Sequence, residues 1–198
     1  MLRTILIYLS KAEWMRRIVM DWGIARKVAL RFVAGETLVS AINAVKTLNE
    51  KKMNATLDLL GEDTFTPDEA EKTAQEIIEI LEAIEKSGVR SNVSIKLTQI
   101  GLNLDQDICA QNLREILARA KELNNFVRID MEDSPFTEIT LALYRQMVEE
   151  GFDNVGVVIQ SYLYRSQSDT IKLLKNSTRI RMVKGAYKEL PEVAFPKK

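Results

Sequence analysis

Histidine is absent from the 198 residues, and there is a single cysteine, Cys109. Without histidine there is no Ser-His-Asp or Cys-His catalysis and no His-ligated zinc or haem. One cysteine allows neither an internal disulfide nor a multi-cysteine metal site. An excess of either charge is missing too, since 28 Lys+Arg balance 28 Asp+Glu. That balance leaves no electrostatic footprint for nucleic acid, which calls for a basic excess. Glycine (8) and proline (4) are scarce, and no repeat, low-complexity tract or linker interrupts the chain. Long apolar runs are also lacking. Ile5, Leu6, Ile7 and Leu9 form a short stretch, but Lys11, Glu13, Arg16 and Arg17 follow, and no small-residue cleavage pattern is seen. Such a stretch is too short to span a bilayer, so the expectation is a soluble, cytoplasmic chain. Any chemistry must therefore run on carboxylates, Lys, Arg, Tyr or a bound cofactor.

What remains is an ordinary apolar content, 46%, in a chain long enough to bury a core. Two textures alternate along it. Short β-rich runs occupy Thr56–Leu60, Val93–Leu97, Phe126–Met131, Val155–Gln160 and Arg179–Val183. Amphipathic helical patterns lie between them. The first follows Thr66, with Pro67 at the first helical position and Glu69 completing a capping box, and Gly88 stops it. A second starts near Asp107; a third is capped at Ser134-Pro135 and ends at Gly151; a shorter fourth runs from about Ser166 to Lys175. Strands and helices alternating at this spacing predict βα units on a parallel sheet. Val93–Leu97 and Val155–Gln160 are mostly apolar on both faces, as buried parallel strands are. Residues before about Asn54, with Trp14, Trp22 and Leu38, read as two or three preceding helices.

The first strand is followed by Gly61-Glu62-Asp63-Thr64 rather than by a Gly-rich phosphate loop, which speaks against an open dinucleotide-binding sheet. Polar residues instead sit at or beyond successive strand ends: Glu62, Lys96, Asp130, Gln160, Arg181 and Lys184. A (βα)8 barrel collects its active site in this way. The fold expected is α/β: a partial (βα)8 barrel of about five βα strands over residues 55–198, preceded by a helical segment over 1–54.

Each position has more than one reading. Asp130 ends a strand in a run with Glu132 and Asp133. The run reads as a turn leading into a helix, with Asp133 favouring its N-terminus, or as carboxylates available to a hard cation. Lys96 closes an apolar strand, where lysine is seldom buried without a partner. It snorkels, forms a Schiff base, or recognises a carboxylate. Arg179, Arg181 and Lys184 cluster on the last strand and its exit, either to hold an anion or electron-rich ring or to protect a sheet edge. Gly185 and Ala186 are small enough for close backbone approach to a ligand. Gln160 could contact a heterocycle through its amide.

Ser94-Ile95-Lys96-Leu97, Ile129-Asp130-Met131-Glu132, Val158-Ile159-Gln160-Ser161-Tyr162 and Arg181-Met182-Val183-Lys184-Gly185-Ala186-Tyr187 resemble, in order and spacing, the strand motifs of the proline dehydrogenase family, and Leu60-Gly61-Glu62 resembles its first strand end. The resemblance covers essentially the whole chain and is to the monofunctional bacterial form. It implies a distorted barrel that binds FAD, oxidises L-proline to Δ1-pyrroline-5-carboxylate and passes electrons to a membrane quinone pool, with peripheral membrane association. By this resemblance Lys96 pairs with the substrate carboxylate, Asp130 is the active-site aspartate, and Glu62 pairs with an arginine gate. Gln160 contacts the flavin ring, Arg181 donates near its N5, and Lys184, Gly185, Ala186 and Tyr187 form the cofactor loop. The family's last strands and its Tyr-x-x-Arg-Arg-type helix have no counterpart before Lys198, so a C-terminally truncated member is expected. The alternative expectation is an inactive partial barrel that self-associates or binds a partner; a third is another barrel enzyme with a Lys-Asp-Arg site and no flavin.

Overall fold

The computed structural model describes residues 37–61, 64–175 and 177–196. Most of the expected N-terminal helical segment, with Trp14 and Trp22, lies outside the described residues, as does Glu62. Within them the order is α1 (Leu38–Glu50), β1 (Ala55–Asp58), α2 (Pro67–Ser87), β2 (Ser91–Ile95), a 3-10 turn (Leu97–Ile100), α3 (Gln106–Glu122), β3 (Val127–Ile129), α4 (Ser134–Glu149), β4 (Val155–Gln160), α5 (Ser166–Leu174) and β5 (Ile180–Val183). The five strands pair in sequence order, all parallel. Arg181 of β5 reaches Thr56 of β1 at 3.0 Å, although the two strands are not neighbours. The sheet is therefore curled into a half-barrel, with helices on its convex side.

Local chemistry sets most helix ends. Thr66 Oγ1 accepts from Glu69 N while the Glu69 carboxylate accepts from Thr66 N, and Gly88 ends α2 in the left-handed region at φ 64°, which a glycine adopts at no steric cost. Thr37 and Ser40 form a similar reciprocal cap on α1. Asp105 caps α3 by accepting from Asp107 N and Ile108 N. The α4 start differs from expectation. Asp133 stands at the cap position and makes no side-chain cap bond. Glu189, far along the chain, accepts instead from Ser134 N at 2.8 Å and Ser134 Oγ at 2.5 Å.

The core lies between sheet and helices. Leu57, Val93, Ile95, Val127, Ile129, Val155, Val157 and Ile159 meet Ile77, Leu81, Leu113, Ile116, Leu117, Leu141 and Met147, and Ile42 and Val45 of α1 join the same cluster. Alternation then puts the intervening residues on the concave side. Leu97, expected in a strand, lies in the 3-10 turn. No helix among the described residues is long and apolar enough to cross a membrane.

Candidate active site

Because β1, β2 and β3 present their apolar residues to the helices, Thr56, Asp58, Asn92, Ser94, Lys96, Arg128 and Asp130 fall on the concave face. There they bond to one another rather than to the core. Lys96 Nζ meets Asp58 Oδ2 at 2.8 Å. Ser94 Oγ donates to Asp130 Oδ1 at 2.6 Å, and the same carboxylate oxygen is 3.7 Å from an Arg181 Nη. The other Nη of Arg181 donates to Thr56 Oγ1, which donates in turn to Asn92 Oδ1 at 2.8 Å. Strands β1, β2, β3 and β5 and their exits thus hold two polar groups on this face: the Lys96–Asp58 pair, and a network that runs from Asn92 and Thr56 through Arg181 to Asp130 and Ser94. Val93–Leu97 is not apolar on both faces; it is apolar only toward the helices.

Phe126 lies just before β3, at the N-terminal end of this face. The guanidinium groups of Arg128 and Arg179 each lie 4.9 Å from its ring centroid, a cation–π arrangement. Arg128 donates to Arg179 O at 2.9 Å, and its Nε is buried without a hydrogen-bond partner. Burial, then the Arg181 charge, pulls the Arg128 guanidinium below its ordinary pKa, with Asp130 acting the other way. Two guanidinium groups thus gather at this end of the sheet, which favours an anionic or electron-rich guest.

At the C-terminal end Gln160 is buried and its Nε2 donates to Glu132 O at 2.6 Å. Glu132 is buried as well and accepts from Thr98 N and, at 2.6 Å, from Thr98 Oγ1. The run of three acids therefore splits: Asp130 faces the concave network, Glu132 tethers the 3-10 turn, and Asp133 opens α4. Among the described residues no three His, Cys, Asp or Glu side chains gather as a metal ion would need.

Beyond β5 the chain folds over the β4 exit. Tyr162 N donates to Lys184 O, Tyr162 Oη to Tyr187 O, and Phe195 N to Tyr162 O. Gly185, at φ 106°, packs on the Tyr162 ring so closely that a Cβ there would stand 2.2 Å from it. The space that Gly185 saves is taken by Tyr162. Burial, reinforced by Glu189 and Asp133, pushes the Tyr162 phenol up.

The structure thus brings Lys96, Asp130 and Arg181 to one face, with Gln160 above them and Lys184, Gly185, Ala186 and Tyr187 in the adjoining loop. Sequence reading overlooked Asp58, Ser94, Thr56 and Arg128. Asp58 carried a signal: it is an acid two positions from Thr56 in a strand whose other face is Ala55 and Leu57, the pattern that singled out Lys96.

Comparison with known proteins supports the same order of motifs. Residues 41–192 match the family described as proline dehydrogenase. The chain is 42% identical to proline dehydrogenase 1 of Bacillus subtilis (strain 168), over all of this chain and 65% of that protein. It is 43% identical to the proline dehydrogenase of Deinococcus radiodurans, over 86% of this chain and 56% of that one. It therefore spans somewhat less than two thirds of these relatives' length. The crystal structure of proline utilization A from Bdellovibrio bacteriovorus inactivated by N-propargylglycine matches with a TM-score of 0.75 and 26% identity, over 81% of this chain and 20% of that one. A family match through all five strands, relatives at this identity and a shared curled sheet converge: the chain belongs to the proline dehydrogenase family.

Proposed function

We propose that this chain provides four βα units and a fifth strand of an enzyme that oxidises L-proline to Δ1-pyrroline-5-carboxylate with FAD, passing the electrons to a quinone. The observation that carries the reading is the concave network, in which Lys96, Asp130 and Arg181 share one face. The donor set suits a flavin. Arg181 has five N–H donors and places one on Thr56 and another near Asp130, and Arg128 Nε lacks a partner. Gln160, Arg181, Lys184, Gly185, Ala186 and Tyr187 would hold the cofactor, which when bound supplies the hydride acceptor. The chain's own residues do the rest. Lys96 binds the substrate carboxylate by a charge-assisted hydrogen bond. Asp130, itself held by Ser94, fixes the Arg181 guanidinium, whose positive charge favours electron density arriving beside it. Glu62 would pair with an arginine gate over the substrate. Quinone as acceptor implies a chain that works in the cytoplasm, peripherally at the inner membrane face.

The test is the visible spectrum of the purified chain supplied with FAD, before and after anaerobic addition of L-proline. A bound flavin band that bleaches with proline is expected. A second reading, an inert half-barrel that self-associates, is favoured by exposed Met182 on β5 and exposed Ile171 and Leu174 on α5. No bound flavin, together with an oligomer by light scattering, would establish it instead.

A further inference from the structure

Asp58 has no role in the reading above, yet it is the partner of the substrate-binding lysine. Its Oδ2 accepts from Lys96 Nζ at 2.8 Å, and no other hydrogen bond of either side chain is found among the described residues. Asp58 Oδ1 is thus open to a second donor, and the ammonium keeps two of its three protons. Both side chains are about one-third exposed, 30% for Asp58 and 28% for Lys96, so a solute can reach them. Asp130, the other carboxylate of this face, is already engaged by Ser94 and Arg181.

A solitary ammonium attracts any anion. Beside a carboxylate the pair is neutral and dipolar: it holds a plain carboxylate less strongly than a lone ammonium does and favours a guest carrying a cation next to its own carboxylate. We infer that Asp58 and Lys96 together read the zwitterion of an α-amino acid, Lys96 taking the carboxylate and Asp58 the α-ammonium. The inference rests on the proline-site reading and adds to it a specificity-determining residue.

The experiment follows the Lys96 ε-methylene by NMR in the 198-residue chain labelled with 13Cε-lysine, the resonance being assigned with Lys96→Met. L-Proline and cyclopentanecarboxylate, a ring acid without the amine, are titrated at neutral pH. In Asp58→Asn the proline dissociation constant is expected to rise about tenfold, as for loss of one charge-assisted hydrogen bond. The value for cyclopentanecarboxylate should stay the same or fall, and Asp58→Glu should restore the preference for proline. Equal weakening of both ligands would make Asp58 a merely structural neighbour and overturn the inference, as would no change for either. If Asp58→Asn disturbs the other lysine resonances, Asp58→Ser removes the same charge and decides the matter. Failure of L-proline to move Lys96 in the unmodified chain would instead refute the proline-site reading on which the pair depends.

Discussion

Cys109 shows what burial does to a single reactive group. The thiol is buried in α3 and donates weakly to Leu97 O, and burial, with the Glu132 charge second, pushes its pKa up to about 12. A thiolate is the reactive form, so iodoacetamide at pH 8 is expected to leave Cys109 unlabelled in the folded chain and to label it promptly in urea. Lys96 is the opposite case, partly exposed and held by one carboxylate. Lys96→Ala removes the charge proposed to anchor the substrate carboxylate, and on that proposal the proline concentration for half-maximal flavin bleaching should rise about tenfold or more. An unaltered value would take Lys96 out of the carboxylate site. Lys96 stands out in the sequence because a lysine closes an otherwise apolar strand, and Asp130 because it ends a strand in a run of three acids. Ser94 and Thr56 went unnoticed because hydroxyl residues are common in strands, and only their partners make them matter.

Elements depend on caps, and here two caps of different range can be compared. The α2 cap is local: Thr66 and Glu69 satisfy each other within one turn. Thr66→Ala should lower stability by about 1 kcal/mol in urea unfolding, with the fold unchanged. The α4 cap is long-range, since Glu189 bonds Ser134 across 55 residues. Glu189→Ala leaves a helix N–H and a hydroxyl without their acceptor and unties the segment after β5 from α4. Limited proteolysis should then cut between Gly185 and Phe195 several-fold faster, while α2 stays intact. The Thr66 box was legible because a capping box has a fixed spacing. The Glu189 cap was not, because nothing near Ser134 announces a carboxylate from so far away. Strand limits moved for a similar reason: Leu97 has a strand-like side chain, but Glu132 ties Thr98 N into a turn just after Lys96.

Across the whole molecule, the helices on the convex side are joined by ion pairs. Arg119 links α3 to Glu82 of α2, Arg114 links α3 to Glu150 beyond α4, and Arg165 pairs with Glu138 of α4. Arg165 holds the Glu138 carboxyl, and Arg114 that of Glu150, below the ordinary value of 4.5. A carboxyl depressed in the folded state lends stability that is fully present above its unfolded value and disappears as pH falls through the folded one. The urea midpoint should therefore be flat from pH 7 to about 5 and drop below the ordinary carboxylate value. These pairs are partly exposed, so each contributes modestly and is weakened by salt. The drop should be shallower in 1 M salt; a pH-independent midpoint would remove the pairs from the stability of the fold.

By itself the sequence determined what depends on near neighbours and on period. Helix α2 starts at Thr66 and stops at Gly88, strands alternate with helices at a spacing that only parallel crossovers fit, and ordered motifs at strand ends identify the family. Tertiary structure alone decided which polar side chains meet. Lys96 lies 38 residues from Asp58, Ser94 lies 36 from Asp130, and Arg181 lies 125 from Thr56. Those meetings depend on how far the sheet curls. Curl is a property of all five strands together, so no single segment encodes it.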